Sequence, residues 1–281
     1  MSSLILQSPT LDPLAVEKIA AISSGSGVQT LGPTVARVLE ADSSAKQAVH
    51  DLCAQHRIDF AYLPQIHLLR ACKLLAMDMD STLINIECID EIAAEAGRKE
   101  QVARITEATM RGEITNFSDS LRQRVAMLEG VPETALEQVY EQRLSLNNGA
   151  KQLVAKAREY GIYTLLVSGG FTFYTQRLQE RLQLDETHAN TLEVIDGKLT
   201  GRVLGDIVDG QVKADHVQRL AKQLDAKPEQ IIVIGDGAND LPMMAHAYYS
   251  VAYRAKPVVQ KQARFALNYT GLDAVLNWFR T

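Results

Sequence analysis

KLLAMDMDST, residues 73–82, runs from an uninterrupted apolar segment straight into acidic and hydroxyl side chains. An apolar run without alternation suits a strand covered on both faces, as strands inside a parallel sheet are. Two later segments repeat the design. YTLLVS (163–168) leads into Gly169-Gly170, and QIIVIGD (230–236) leads into Gly237-Ala238-Asn239-Asp240. Strands of this kind alternating with helical stretches predict an α/β fold with a parallel sheet, whose ligands bind beyond the carboxyl ends of the strands. Asp78-Met79-Asp80-Ser81-Thr82, Ser168-Gly169-Gly170 and the segment from Asp236 to Asp240 are therefore expected to meet in one crevice.

Between the first two strands lies a mostly helical stretch, about 86–145, too long for an ordinary crossover helix. It reads as a helical cap inserted after the first strand and lying over the crevice. Farther on, LEVIDGKLTG (192–201) places Asp196-Gly197 between two strand-like runs, a hairpin signal.

Upstream the pattern differs. LILQ (4–7), 28–31, 35–39 and IDFAYL (58–63) read as strands, with helices over 13–24 and from Ser43/Ser44 to about Gln55. The order βαββαβ predicts a ferredoxin-like plait. Such plaits include small regulatory ACT modules, and no ligand motif here separates a docking or dimerising role from an effector-binding one.

At roughly 150 residues per domain, 281 residues correspond to about 1.9 domains. The expected division is a plait over 1–68 and a catalytic body over 73–281. Net charge is 29 − 34 = −5, and residues 1–70 carry five basic and six acidic side chains, so no basic module for nucleic acid or anionic lipid is expected. No apolar run approaches the ~18 residues of a membrane span, and MSSLILQSPTLDP lacks a basic n-region, so a cytoplasmic chain is expected. Cys53, Cys72 and Cys88 have spacings that suit buried thiols, and the six histidines read as structural or surface residues.

Several side chains break local rules. Asp78 and Asp80 can reach one cation at a strand end, and hard oxygen ligands suit Mg²⁺, although an acidic loop would look alike. Ser168 with Gly169 and Gly170 precedes the helical run 171–182, a phosphate site or a plain helix cap. Lys213 stands just ahead of a helix over about 215–224, electrostatically misplaced unless an anion is near. Arg124 occupies the i+3 position of the apolar stripe Leu121, Val125, Leu128, where it can hold a carboxylate or extend to water. Glu87 precedes an amphipathic run, where an acid is stabilised by the helix dipole in any case.

Together, DMDST (78–82), SLRQR (120–124), SGGF (168–171), DGKLTG (196–201) with Lys213, and GDGANDLPM (235–243) resemble the haloacid dehalogenase superfamily, and within it the phosphoserine phosphatase family. The resemblance covers about 73–260. It implies a Rossmann-like core and a Mg²⁺-dependent phosphatase that makes serine from O-phosphoserine, the last step of serine biosynthesis. By the same resemblance Asp78 is the nucleophile and Asp80 the general acid/base. Mg²⁺ would be held by Asp78, the Asp80 carbonyl and Asp236, with Asp240 supporting them. Ser168, the Gly169 amide and Lys213 match phosphate contacts, Glu87 the substrate ammonium, Arg124 its carboxylate, and Asn239 a further pocket contact. Met110 and Phe117 match a cap wall. The alternatives are another small phosphomonoester, another acceptor such as homoserine, or a non-catalytic amino-acid sensor, and the plait leaves a homodimer open.

Two departures from the family pattern bear on shape. The Met110–Phe117 segment is one residue longer than usual, and Tyr248-Tyr249-Ser250 replaces an Ala-Gly and a further glycine, which predicts a different loop backbone there.

Overall fold

The structure, a computed structural model, describes residues 2–281. It begins with β1 (Ser2–Gln7), α1 (Pro13–Ile22), β2 (Gly27–Gly32), β3 (Val35–Ala41), α2 (Lys46–Gln55) and β4 (Asp59–Leu63). These four strands form an antiparallel sheet in the order β2-β3-β1-β4, the predicted plait. The second helix starts later than expected, because Asp42 accepts the Ser44 N–H and closes a 3₁₀ turn over Ser43–Ala45 first.

The alternation along β1 explains how this sheet is used. Leu4 and Leu6 pack with Val16, Ile19 and Val49 of the two helices. Ile5, with Val35, Ala61 and Leu63, belongs instead to the core of the following α/β body. The body of the same chain thus covers the face of the sheet that Ile5, Val35, Ala61 and Leu63 share, while the edge strand β2 stays exposed. Asp59 fixes the contact, its carboxylate accepting the N–H groups of Asn268, Tyr269 and Thr270 and the Thr270 hydroxyl at 2.7–3.0 Å.

The body opens with β5 (Leu74–Met77), followed by four helices, α3 (Cys88–Glu95), α4 (Lys99–Met110), α5 (Phe117–Ala126) and α6 (Thr134–Gln142). Then come α7 (Ala150–Glu159), β6 (Tyr163–Phe171), α8 (Thr172–Leu182), β7 (Glu186–Ile195), β8 (Lys198–Leu204) and α9 (Gly210–Gln223). The chain continues through β9 (Ile231–Gly235), α10 (Leu241–Met244), β10 (Tyr249–Tyr253), α11 (Pro257–Gln262), β11 (Phe265–Leu267) and a 3₁₀ segment, Leu272–Trp278. The sheet order is β11-β10-β9-β5-β6-β7-β8, parallel except for the β7–β8 hairpin. Asp196 and Gly197 turn that hairpin with φ of +50° and +71°, as a two-residue type I′ turn requires.

β5 lies at the centre, with Leu75 and Met77 on one face and Leu74 and Ala76 on the other, all fully buried. The chain order runs outward from it in both directions, so the topological switch point lies between β5 and β9. A crevice opens there at the carboxyl ends of the strands.

Three local expectations are corrected. β6 does not end at Ser168 but continues to Phe171 through a bulge, its register stepping from Val167↔His188 to Phe171↔Asn190. Asn190 takes up the displaced backbone, donating to the Gly169 carbonyl and accepting the Val208 N–H. Ser168 is thus a strand residue, and Phe171 occupies the cap position of α8. Second, α9 begins at Gly210 because Asp209 accepts the N–H groups of Gln211 and Val212, which puts Lys213 inside the first turn and not ahead of the helix. Third, Tyr249 and Ser250 stand in strand β10 and not in a loop, and in keeping with the loss of glycine there neither they nor Tyr248 have positive φ. Tyr249 fills an aromatic cluster with Phe265 and Phe279, and its hydroxyl pairs with His67 Nδ1 at 3.0 Å.

Candidate active site

The ends of β5 and β9 bring Asp78 and Asp236 to the switch point, and the bulge within β6 brings Ser168 beside them. After Asp78 the chain makes a single wide turn over Met79–Leu83, with Ser81 at φ +56°. Asn147, which nothing in its sequence context marks, holds this turn: its amide donates to the carbonyls of Ser81, Thr82 and Ile84 at 3.4, 2.8 and 2.9 Å. Asp80 is turned back toward the cap, where its Oδ1 accepts the Cys88 N–H at 3.2 Å.

The helical cap closes the crevice. Asp78, Asp80, Ser168, Gly169, Asp236 and Asn239 from the body, and Glu87, Met110, Phe117 and Arg124 from the 86–145 stretch, line one closed cavity with about 20 Å³ of free space. The glycines allow its shape. A Cβ on Gly170 would lie 2.6 Å from Asp80 Oδ2, and one on Gly169 would lie 2.5 Å from the Phe117 ring.

Lys213 and Asp240 lie behind this cavity. Lys213, fully buried, donates to Asp78 Oδ1 at 2.5 Å and Asp240 Oδ1 at 2.8 Å. Asp240 Oδ2 accepts the N–H groups of Asp236 and Gly237, so both its oxygens serve to shape the loop. Carboxylate oxygens of Asp78, Asp236 and Asp240 lie within 4.8 Å of one another, an acidic cluster able to hold a metal ion. Burial raises Asp78 well above the usual carboxylate range, against the pull of Lys213. Burial takes Asp80 to about 6, and burial with the Asp240 charge takes Asp236 to about 7. Burial works to lower Lys213, yet Asp240 and Asp78 hold it above the ordinary lysine value.

On the cap side, Arg124 is buried with Leu121 and Val125 on the apolar face of α5, at the i+3 position of the stripe. Nε donates to the Ser120 carbonyl at 3.3 Å and Nη1 to Thr106 Oγ1 at 3.1 Å, while Nη2 is without a partner. The Thr106 hydroxyl in turn donates to Asp90 Oδ1 at 2.7 Å. Glu87 sits at the cap position of α3 but does not cap it. Its carboxylate accepts the Ser81 hydroxyl at 2.6 Å, and burial, followed by the Asp80 and Asp236 charges, raises its pKa well above the ordinary glutamate value. Asn239 Oδ1 is buried and unpaired.

The arrangement combines a buried carboxylate held by a lysine, a second carboxylate two residues on, an oxygen-only cation cluster, and a pocket wall offering one carboxylate and one free guanidinium nitrogen. Asp90, Thr106, Asn147 and Asn190 were not anticipated. Each acts through a contact made only in the folded chain.

Comparison with known proteins agrees with this geometry. Residues 75–245 match the haloacid dehalogenase-like hydrolase family, and residues 4–57 match a domain of unknown function, DUF4072. A phosphoserine phosphatase of Polaromonas sp. is 55% identical over 208 residues, covering 73% of this chain and 88% of that protein. The unliganded crystal structure of a probable phosphoserine phosphatase from Vibrio cholerae superposes with TM-score 0.81 at 37% identity, covering 99% of this chain and 85% of that one. A substrate-bound phosphoserine phosphatase structure superposes with TM-score 0.71 at 36% identity, covering 74% of this chain and 99% of that one. This chain belongs to the haloacid dehalogenase-like hydrolase family, on its phosphoserine phosphatase branch.

Proposed function

We propose that this chain hydrolyses O-phosphoserine to serine and phosphate through a phosphoryl group carried on Asp78. The observation that carries the reading is the meeting of opposite charges at one pocket: Glu87 and Arg124, whose Nη2 has no hydrogen-bond partner, line the same cavity as Asp78 and Asp80. An amino acid offers an ammonium to the first, a carboxylate to the second, and its phosphate to Asp78.

Asp78 attacks phosphorus, and the bond from phosphorus to the seryl oxygen breaks. Asp80 gives its proton to that oxygen, so serine leaves neutral at its hydroxyl. Water then attacks the phosphoryl group, Asp80 takes a proton from it, and the Asp78–phosphorus bond breaks to restore the enzyme. Lys213 orients Asp78, the nucleophile, by donating to its Oδ1, and Ser168 with the Gly169 amide receives phosphoryl oxygens. Uncatalysed phosphomonoester hydrolysis leaves up to ~29 kcal/mol of barrier to remove, so several such contacts must act together.

Every donor in the acidic cluster is a hard oxygen, which fits Mg²⁺ and not a thiolate- or imidazole-seeking ion. Asp78, the Asp80 carbonyl and Asp236 would hold it, and when bound it supplies positive charge against the phosphoryl oxygens. No helix among the described residues is long and apolar enough to cross a membrane. We place the protein in the cytoplasm and assign it a homodimer formed through the plait, whose edge strand β2 exposes Val28 and Leu31.

The test is phosphate release from a panel of phosphomonoesters with and without Mg²⁺, with homoserine added in parallel as acceptor. Metal-dependent release with preference for O-phosphoserine is expected. Phosphorylated homoserine as the main product would reassign the chain as a transferase, and no release from any substrate would leave the amino-acid sensor.

A further inference from the structure

Away from the crevice, β7 and α9 bring together three metal-ligand side chains that the proposed phosphatase chemistry does not use. Glu186 and His188, two apart on β7, share a face of the sheet, and His216 of α9 lies over them. The two imidazoles stack with centroids 3.6 Å apart and planes 22° from parallel. His188 Nε2 is 2.5 Å and His216 Nδ1 4.0 Å from the same oxygen, Glu186 Oε1, and one ligand atom from each residue lies within 4.8 Å of the others. All three are partly buried, with the set still open to solvent on one side.

A cation already marks the point on which they converge. Arg219, one turn beyond His216, places Nη2 in contact with Glu186 Oε1 and 3.5 Å from His216 Nδ1. Its other terminal nitrogen is tied to Gln223 near the surface, and the side chain is 41% exposed, so it can leave the site by rotation alone. The second Glu186 oxygen accepts the Tyr163 hydroxyl, which fixes the carboxylate from behind. Burial, His188 and Arg219 all hold His216 below the ordinary histidine value, keeping its lone pair available at neutral pH.

We infer that Glu186, His188 and His216 form a second metal site, which takes a divalent transition ion of the Zn²⁺, Co²⁺ or Ni²⁺ class in place of the Arg219 guanidinium. Two imidazoles with one carboxylate suit such ions and do not suit Mg²⁺, so the site is chemically distinct from the all-oxygen cluster at the crevice. The ion ties α9 to β7. Because Lys213 stands one turn before His216 on the same helix, occupancy stiffens the element that carries the Asp78 contact.

The experiment is Co²⁺ titration of the full chain held in saturating Mg²⁺, read by visible d–d absorption and by calorimetry. One equivalent is expected to bind. His188→Gln and His216→Gln should each weaken it by roughly tenfold to a hundredfold or more, since even outer contacts of metal sites are worth that much. Arg219→Ala should tighten it, and Asp236→Asn should leave it unchanged. Circular dichroism of each variant verifies that it folds. Absence of a bound equivalent, binding undiminished in both histidine variants, or loss of binding in Asp236→Asn would overturn the inference. None of these readouts depends on turnover, so they stand apart from the phosphatase assignment.

Discussion

Lys213 donates to Asp78 Oδ1 at 2.5 Å from the first turn of α9, with no exposed surface of its own. A lysine at a helix N-terminus is disfavoured by the dipole and, when buried, by desolvation. Here two carboxylates, Asp78 and Asp240, offset both. Lys213→Met therefore leaves two buried acids uncompensated. We expect it to lose turnover by about 10²–10³-fold or more, as removal of one preorganised donor does elsewhere. Breaking the buried pair is expected to remove about 3–5 kcal/mol of stability. Steady-state kinetics and urea unfolding measure the two effects separately.

Thr106 is predicted to act on substrate choice through Arg124. Its hydroxyl accepts from Arg124 Nη1 and donates to Asp90, which fixes the direction in which the unpaired Nη2 points. Thr106→Val keeps the shape and removes both bonds. KM for O-phosphoserine should rise several-fold, while a phosphomonoester without a carboxylate should be hydrolysed as before, and Thr106→Ser should restore the wild-type KM. Arg124→Ala should show the same selectivity in stronger form. Equal losses on both substrates would remove Arg124 and Thr106 from carboxylate recognition.

These two cases show where the sequence was legible. Asp78, Ser168 and Asp236 were visible because each closes or follows an uninterrupted apolar run, and ligands of parallel sheets bind toward the carboxyl ends of such strands. Arg124 was visible because it interrupts a helical apolar stripe. Thr106 carries no such mark: on α4 it is an ordinary polar residue, and only the crossing of α4 and α5 places it under Arg124. Asn147 is equally silent, since the turn it braces lies 63–66 residues away in sequence. The end of β6 was misread for a different reason. Ser-Gly-Gly has the composition of a helix start, but Asn190, a neighbour in the sheet, satisfies the bulged backbone and lets the strand go on.

The contact of the plait with the body predicts a single unfolding transition. Ile5, Val35, Ala61 and Leu63 share one apolar cluster with the body, and Asp59 accepts four hydrogen bonds from residues 268–270. Asp59→Ala strands three backbone N–H groups, and at about 1–3 kcal/mol for each group left unsatisfied the loss reaches several kcal/mol. Fluorescence and far-UV circular dichroism should report coincident urea transitions in the wild type, shifted to lower urea in Asp59→Ala. A separate early transition of the plait in the wild type would contradict this.

Glu87 gives the pH dependence. Burial first, and then the charges of Asp80 and Asp236, raise its pKa well above the reference value of 4.5. The native chain therefore binds this proton more tightly than the unfolded chain does. Glu87 favours the native state most when protonated, and its contribution to stability falls as pH rises from about 4.5 through the raised native value. Substrate acts in the opposite sense, because an ammonium beside Glu87 favours the carboxylate and expels the proton. In saturating Mg²⁺, kcat/KM for O-phosphoserine should thus decline as pH falls below the native Glu87 value, with the decline carried mainly by KM. Glu87→Gln cannot titrate. It should raise KM at neutral pH, flatten the acid limb of the KM profile, and remove the part of the stability loss with rising pH that this group causes. An acid limb unchanged in Glu87→Gln would assign the proton to another group and take Glu87 out of ammonium recognition.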